Sequence, residues 1–156
     1  VRLRHSVPVA GVSFEGSAAL SPAADAALRA ADVIVVAPSN PIVSIGPIRQ
    51  LAGVDELLGA RRECVVAVSP IVGGAALKGP ADRMLAELGV EPSVVGVARL
   101  YAPIAATLVI DPVDTELADA VAAEGIRPVV HPSVMTTQDA AESLARSVLA
   151  AVNPGG

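Results

Sequence analysis

The chain has 156 residues, which suits one domain, and 53% of them are hydrophobic although it contains only one Phe, one Tyr and no Trp. This composition excludes an aromatic surface for stacking single-stranded nucleic acid, and a formal net charge of −5 argues against nucleic-acid binding in general. No apolar run approaches the ~18 residues of a membrane span. The single Cys64 excludes an internal disulfide and is compatible with a reducing compartment. We therefore expect a cytoplasmic protein whose partners are neither nucleic acid nor membrane.

The first half of the chain alternates strand and helix signals. A short edge strand is predicted over residues 9–14, and Ser21 followed by Pro22 predicts a helix start. Four β-branched residues, 33–36, predict a central strand buried on both faces. Arg61 and Arg62 are predicted to be a solvated pair. The remaining elements of this half are a helix over 23–31, a helical turn over 47–51, a helix over 54–59 and a strand over 63–69.

The second half contains two consecutive helices and then resumes the alternation. The helices over 81–88 and 94–101, the latter capped by Ser93, predict a small helical subdomain around residues 80–102. A strand over 107–110, a helix over 115–124 capped by Asp114, a strand over 127–131 and a helix over 138–152 capped by Thr137 follow. We therefore predict one α/β domain with a mostly parallel sheet flanked by helices, in a Rossmann-like, three-layer arrangement.

Two predicted strands end in loops that are interrupted by proline. The first runs into Ser39, Asn40 and Pro41, with Ser44 nearby, and the second ends at Ser69 followed by another proline. The carboxyl ends of parallel strands meet at one edge of a sheet, where ligands bind. The two loops are therefore expected to face each other across one cleft. The alternative is that Ser39 and Asn40 form a polar turn, with Asn40 bonding its own backbone.

Residues 73–79 (GGAALKG) have the composition of a phosphate-binding loop without the Walker A spacing. Gly73 and Gly74 would let backbone N–H groups approach an anion, and Lys78 would add a positive charge. The alternative is a flexible turn with a solvated lysine. Neither Ser44 nor Ser69 has a nearby His, so nucleophilic catalysis is not expected and no catalytic residue is identified. Asp111 and Asp114 could hold Mg²⁺, although helix capping is the commoner use.

Two stretches together, residues 37–47 (APSNPIVSIGP) and 67–81 (AVSPIVGGAALKGPA), closely resemble the 2-phospho-L-lactate transferase family of coenzyme F(420) biosynthesis. Actinobacterial members are also described as phosphoenolpyruvyl transferases. The flanking residues 14–16, 108–111 and 131–135 agree with the resemblance. It covers essentially all 156 residues but corresponds to the C-terminal half of a family member.

The resemblance implies transfer of a phospholactyl or phosphoenolpyruvyl group from a guanosine-diphosphate-activated donor to the deazaflavin Fo, with release of GMP and assistance from Mg²⁺. It implies that one wall of the cleft is formed by Ser39, Asn40, Pro41 and Ser44, and the other by Ser69, Gly73, Gly74 and Lys78. The family's glycine-rich N-terminal loop and acidic metal ligands have no counterpart here, so the Mg²⁺ ligands are expected in the N-terminal part of a full-length member.

Two further expectations follow from the absence of these N-terminal features. The chain by itself is expected to be poorly active. The exposed apolar edge left without the N-terminal half predicts self-association as a homo-oligomer. Two other readings remain open, a nucleotide-sugar-binding regulatory protein of the same fold and a structural remnant that binds nothing by itself.

Overall fold

The structure is a computed structural model, and it describes residues 8–152. Its strands and helices largely alternate, as is typical of an α/β protein, with two pairs of consecutive helices. The strands are β1 (Ile34–Val36), β2 (Val65–Val68), β3 (Ile71–Val72), β4 (Ala75–Ala76), β5 (Thr107–Ile110) and β6 (Arg127–Val130). The helices are α1 (Pro22–Ala30), α2 (Gly46–Arg49), α3 (Val54–Ala60), α4 (Ala81–Glu87), α5 (Val94–Tyr101), α6 (Ala118–Ala123) and α7 (Gln138–Val152).

The main sheet has four parallel strands in the order β1-β2-β5-β6. All four carboxyl ends therefore lie along one edge of the sheet, which confirms the predicted parallel α/β architecture. Strands β3 and β4 form a separate antiparallel hairpin, with Ile71 opposite Ala76 and Val72 opposite Ala75. Within residues 8–152 no helix is long and apolar enough to cross a membrane.

The larger core covers one face of the sheet and is built almost entirely from aliphatic residues, as the composition requires. Alternate residues of the strands, such as Val65 and Ala67, meet buried residues of α3, α4, α5 and α6. Helix α5 is the most buried of these, and its Val94, Val97 and Ala98 have no exposed surface. The consecutive helices α4 and α5, predicted as a helical subdomain, therefore share the core of the main sheet.

The opposite face of the sheet packs against α7. Its side chains Leu144, Val148 and Ala151 cover Val66, Val68 and Val109. These helix residues are four and three positions apart, which is the spacing of an apolar stripe on one helix face. The sheet consequently lies between two helical layers, as predicted.

Local sequence signals fixed several helix ends correctly. The hydroxyls of Ser21, Ser93 and Thr137 accept hydrogen bonds from backbone N–H groups in the first turns of α1, α5 and α7. Gly89 and Gly125 have positive φ angles after α4 and α6, which suits the predicted helix stops.

Three predictions about local structure are wrong. Residues 9–14 form no strand, and the N–H of Val9 donates instead to the Glu87 carboxylate at 2.7 Å. Strand β1 lies at the edge of the sheet rather than in its centre, and Val35 is 49% exposed. Asp114 does not cap a helix: Asp111 caps a 3₁₀ segment, Pro112–Leu117, that leads into α6.

Arg61 and Arg62 are not a solvated pair, because each binds backbone carbonyls at the end of a helix. Arg61 donates to the carbonyls of Leu28 and Ala31 at the end of α1. Arg62 donates to the carbonyl of Ala102, next to α5, at 2.7 Å, and to that of Gly125. A cation at these positions satisfies carbonyls that helix ends leave free.

Candidate functional site

A cleft of about 840 Å³ opens at the carboxyl edge of the main sheet. Four segments line it, and each follows a strand of the main sheet or of the hairpin. They are the loop after β1, the Ser69-Pro70 corner after β2, residues 77–81 between β4 and α4, and residues 133–136 after β6. The position agrees with the general location of ligand sites in parallel sheets.

Five of the eight predicted site residues line this cleft together: Ser39, Asn40, Ser44, Ser69 and Lys78. The predicted meeting of the two proline-containing loops in one cleft is therefore correct. Pro41, Gly73 and Gly74 do not line it. Pro41 is buried and lines a smaller cavity of about 340 Å³ on the other side of the loop.

Asn40 organises the first loop from within. Its side-chain oxygen accepts hydrogen bonds from the N–H groups of Ile42 at 2.9 Å and Val43 at 3.2 Å. It thereby caps the π-helical turn Pro41–Ile45 that runs into α2. Its amide nitrogen lies 3.5 Å from the sulfur of Met84 in α4. The capping role is the turn alternative considered for this residue, and it coexists with a place on the cleft wall.

Ser69 holds the second corner in a similar way. It is 2% exposed, its hydroxyl donates to the carbonyl of Ile71 at 2.9 Å and it accepts from the N–H of Ile71 at 3.1 Å. The N–H of Ser69 continues the sheet by donating to the carbonyl of Val109. Ser69 therefore shapes the cleft floor, with its hydroxyl already engaged by the chain.

The glycine pair forms the turn of the β3–β4 hairpin instead of an anion cradle. Gly73 and Gly74 have φ angles of 59° and 78°, as a two-residue type I′ turn requires. The N–H of Gly73 donates to both carboxylate oxygens of Asp114, at 3.0 and 3.2 Å. That amide is therefore not available to a phosphate in this arrangement.

The fourth wall, residues 133–136, was not among the predicted site residues. The carboxylate of Asp111, at the end of β5, accepts from the N–H of Ser133 at 2.9 Å and from its hydroxyl at 3.2 Å. The sequence did carry a signal, because β6 is followed by His131-Pro132-Ser133. This is the same succession of strand, proline and serine as in the first loop, and the second loop has the same two residues in reverse order.

The cleft combines one positive charge with small polar groups and an apolar rim. Lys78 is the only charged residue among the lining residues of the described chain. Three large apolar side chains at the cleft are strongly exposed: Val43 at 42%, Leu77 at 54% and Met135 at 51%. Such a surface suits a ligand with an anionic part and a flat apolar part.

The described residues contain no cluster of metal-ligating side chains. Between residues 8 and 152 no group of three or more His, Cys, Asp or Glu side chains could hold an ion. The predicted candidates are committed elsewhere, since Asp111 binds Ser133 and Asp114 binds Gly73. A Mg²⁺ site formed by these two aspartates therefore does not fit the structure.

Phe14 and Arg49 are among the residues that line the smaller cavity. The guanidinium group of Arg49 is hydrogen-bonded within the chain. Arg49 forms two hydrogen bonds of 2.8 Å with Asp55 and one of 2.9 Å with the carbonyl of Leu100. Tyr101, which follows Leu100 in the sequence, is fully buried, and its hydroxyl has no hydrogen-bond partner among the described residues. Burial raises the pKa of this phenol, and nearby Arg49 opposes the shift.

The fold and the cleft together place the chain in a class: α/β proteins with a cleft at the carboxyl ends of parallel strands. Residues 2–151 match the family described as 2-phospho-L-lactate transferase CofD. The chain belongs to this family, which confirms the resemblance seen in the sequence.

Relatives in archaea and actinobacteria agree with this assignment. The chain is 38% identical over 151 residues to the 2-phospho-L-lactate transferase of Methanocaldococcus jannaschii, covering 96% of this chain and 47% of that protein. It is 40% identical over 152 residues to the phosphoenolpyruvate transferase of Streptomyces griseus, covering 96% of this chain and 48% of that protein. The chain thus spans about half the length of the curated relatives it matches.

Proposed function

We propose that this chain forms part of the active site of a transferase in coenzyme F(420) biosynthesis. The group transferred is phospholactyl or phosphoenolpyruvyl, the donor is its guanosine-diphosphate-activated form, the acceptor is a hydroxyl of the deazaflavin Fo, and GMP is released. The observation that carries the proposal is the cleft itself, where five residues expected from the family pattern, one of them Lys78, lie together.

The chemistry asks for positioning and charge neutralisation. A new bond forms between the acceptor oxygen and the phosphorus that bears the three-carbon acid, while the bond from that phosphorus to the GMP oxygen breaks. Negative charge accumulates on the phosphate oxygens and on the leaving group, and a lysine ammonium stabilises it. We assign this role to Lys78, which is exposed at the cleft.

The neutral groups of the cleft position the substrates. The hydroxyls of Ser39, Ser44 and Thr136 offer hydrogen bonds to phosphate or ribose oxygens, and the apolar rim of Val43, Leu77 and Met135 suits a planar ring of Fo or guanine. Magnesium would add further charge neutralisation when bound, and its ligands are expected in parts of a full-length enzyme other than residues 8–152.

The test is a calorimetric titration of the chain with Fo, GDP and a UDP-sugar. Binding of Fo or GDP with no response to the UDP-sugar is the expected result. Preference for the UDP-sugar would instead favour a nucleotide-sugar-binding regulator, and binding of none would favour a structural remnant. Turnover of the chain alone is expected to be far below that of a full-length relative, and equal turnover would contradict this expectation.

A lysine substitution makes the proposal specific. Lys78→Gln should weaken GDP binding about ten-fold, since a charge-assisted contact to phosphate contributes roughly 1.5–3 kcal/mol, partly screened at an exposed site. Lys78→Arg should retain most of the affinity. Arg146→Gln, which removes an exposed cation on α7, is the matched control and should leave GDP binding unchanged. Equal effects of the two glutamine variants would remove Lys78 from the site.

A further inference from the structure

The segment that follows β5 does not line the cleft, yet it binds one segment that does, at Ser133, and the β3–β4 hairpin that leads into another. At the start of the segment, Asp111 accepts hydrogen bonds from the N–H and the hydroxyl of Ser133. Ser133 is the first residue of the wall formed by residues 133–136. The remaining oxygen of Asp111 accepts from the N–H of Val113 at 3.3 Å and starts the 3₁₀ segment Pro112–Leu117. Capping accounts for one oxygen of this carboxylate, and the other oxygen joins two loops.

Asp114, one turn later, binds the hairpin on the other side. It is only 4% exposed, and both of its oxygens accept from the N–H of Gly73. No cation pairs with it among residues 8–152. A buried carboxylate is costly to desolvate, so these hydrogen bonds hold the hairpin firmly against it. The hairpin leads directly into residues 77–80, which carry Lys78.

A single turn of backbone connects the two carboxylates. The N–H of Asp114 donates to the carbonyl of Asp111 at 2.9 Å, which fixes their relative position. We propose that Asp111 and Asp114 are positioning residues that together set the distance between the wall carrying Lys78 and the wall formed by residues 133–136. The inference deepens the proposed function, because the width of the cleft determines which ligand can contact both walls.

The test measures the distance between the walls without any ligand. Spin labels are placed at Leu77→Cys and Met135→Cys, two exposed positions on the two walls, in a chain that also carries Cys64→Ser. Electron paramagnetic resonance then compares Asp111→Asn and Asp114→Asn with Asp119→Asn, the same chemical change at an exposed position of α6. We expect a broader or shifted distance distribution in the first two variants and an unchanged one in the control. Unchanged distributions in both test variants would overturn the proposal.

Amide exchange separates the two hydrogen bonds. Asp114→Asn should accelerate exchange at Gly73 and not at Ser133, while Asp111→Asn should do the reverse, about ten-fold in each case. Equal acceleration at both amides in either variant would mean general loosening and would contradict separate tethers. If Asp114→Asn fails to fold, Asp114→Glu replaces it, and an unshifted label distance in that variant would likewise overturn the proposal.

A titration with GDP connects the tethers to binding. At a temperature where they are fully folded, both asparagine variants should bind GDP about ten-fold more weakly, since a misplaced wall lowers affinity without unfolding the chain. Unchanged GDP affinity in variants with altered label distances would overturn the link to specificity. If the unaltered chain binds neither GDP nor Fo, the proposed function fails, while the label distances still decide whether the two aspartates set the cleft width.

Discussion

At the scale of single residues, side chains that appear suited to ligand binding are largely engaged in holding the loops. Asn40, Ser69 and Asp111 each accept hydrogen bonds from backbone N–H groups close to the cleft. Their residue types were informative about the location of the site, because short polar side chains stabilise the sharp turns that proline enforces. The partner of Asp111 could not be predicted, since Ser133 is 22 positions away in the sequence.

Asn40→Ala separates the capping role from the cleft. Loss of the cap should cost about 1 kcal/mol of stability, measured by urea unfolding. In an active full-length enzyme that carries this stretch, turnover should fall at least ten-fold, because the loop loses its shape and a cleft hydrogen bond worth roughly 1–3 kcal/mol. Asn40→Asp is the matched variant, since its carboxylate can still cap, and it should keep the stability. Unchanged kinetics in Asn40→Ala would remove this residue from the site.

Gly96 is a residue whose importance the sequence did not indicate. It lies inside α5, fully packed, and a Cβ built there would come within 1.9 Å of the carbonyl oxygen of Glu91. Gly96→Ala should therefore destabilise the fold by about 1–3 kcal/mol, because backbone must move to admit one methyl group. Gly59→Ala in α3 is the control: the nearest atom, the carbonyl oxygen of Pro103, would be at 3.4 Å. Helix propensity then predicts no loss there, and equal melting temperatures for the two variants would contradict the close contact.

At the scale of elements, the sequence predicts those helices and strands whose limits depend on residues close by in the chain. Strand β5 and helix α7 begin and end where the pattern placed them, since a run rich in β-branched residues and an apolar stripe are local signals. The β3–β4 hairpin was misread. A two-residue Gly-Gly connection between apolar pairs is a hairpin signal, but the nearby Lys78 favoured comparison with a phosphate loop.

The segment before α1 has a local pattern that predicts a strand, but the structure has none there. Residues 9–14 have strand-like composition, but a strand needs a neighbour with free backbone groups, and the N–H of Val9 is bound by Glu87 instead. The hydrogen bond from Arg83 and that from the Val9 N–H hold the pKa of the Glu87 carboxyl below its usual value of 4.5. The segment is thus tied to α4 through a charged group.

This tie should depend on pH. A carboxyl whose pKa is lowered in the fold contributes stability above its unfolded pKa, and that contribution disappears as the pH falls through the lower, folded value. The protection factor of the Val9 amide against hydrogen exchange should therefore fall as the pH drops below 4.5. In Glu87→Gln the Val9 amide should have a low protection factor at every pH. Glu116→Gln, at an exposed position, should behave like the unaltered chain. A pH-independent protection factor at Val9 would refute the role of Glu87.

At the scale of the whole molecule, the order of the strands in the sheet decides which strands are buried. The sequence predicted β1 as a central, fully buried strand from its four β-branched residues, but burial depends on neighbours that local pattern does not contain. In the described residues β1 pairs only with β2. Val35 faces the same side as Val66 and lies beyond the reach of α7, so it remains 49% exposed.

An edge strand with an exposed apolar residue favours pairing with another chain. We therefore expect the chain to self-associate with increasing concentration in sedimentation velocity. Val35→Lys should shift the distribution towards monomer, because a charge at an edge strand opposes pairing. Leu149→Lys is the matched control, since Leu149 is 55% exposed on α7 and away from the strand edge. A monodisperse monomer of the unaltered chain, or equal effects of the two lysine variants, would show that the edge of β1 does not drive association.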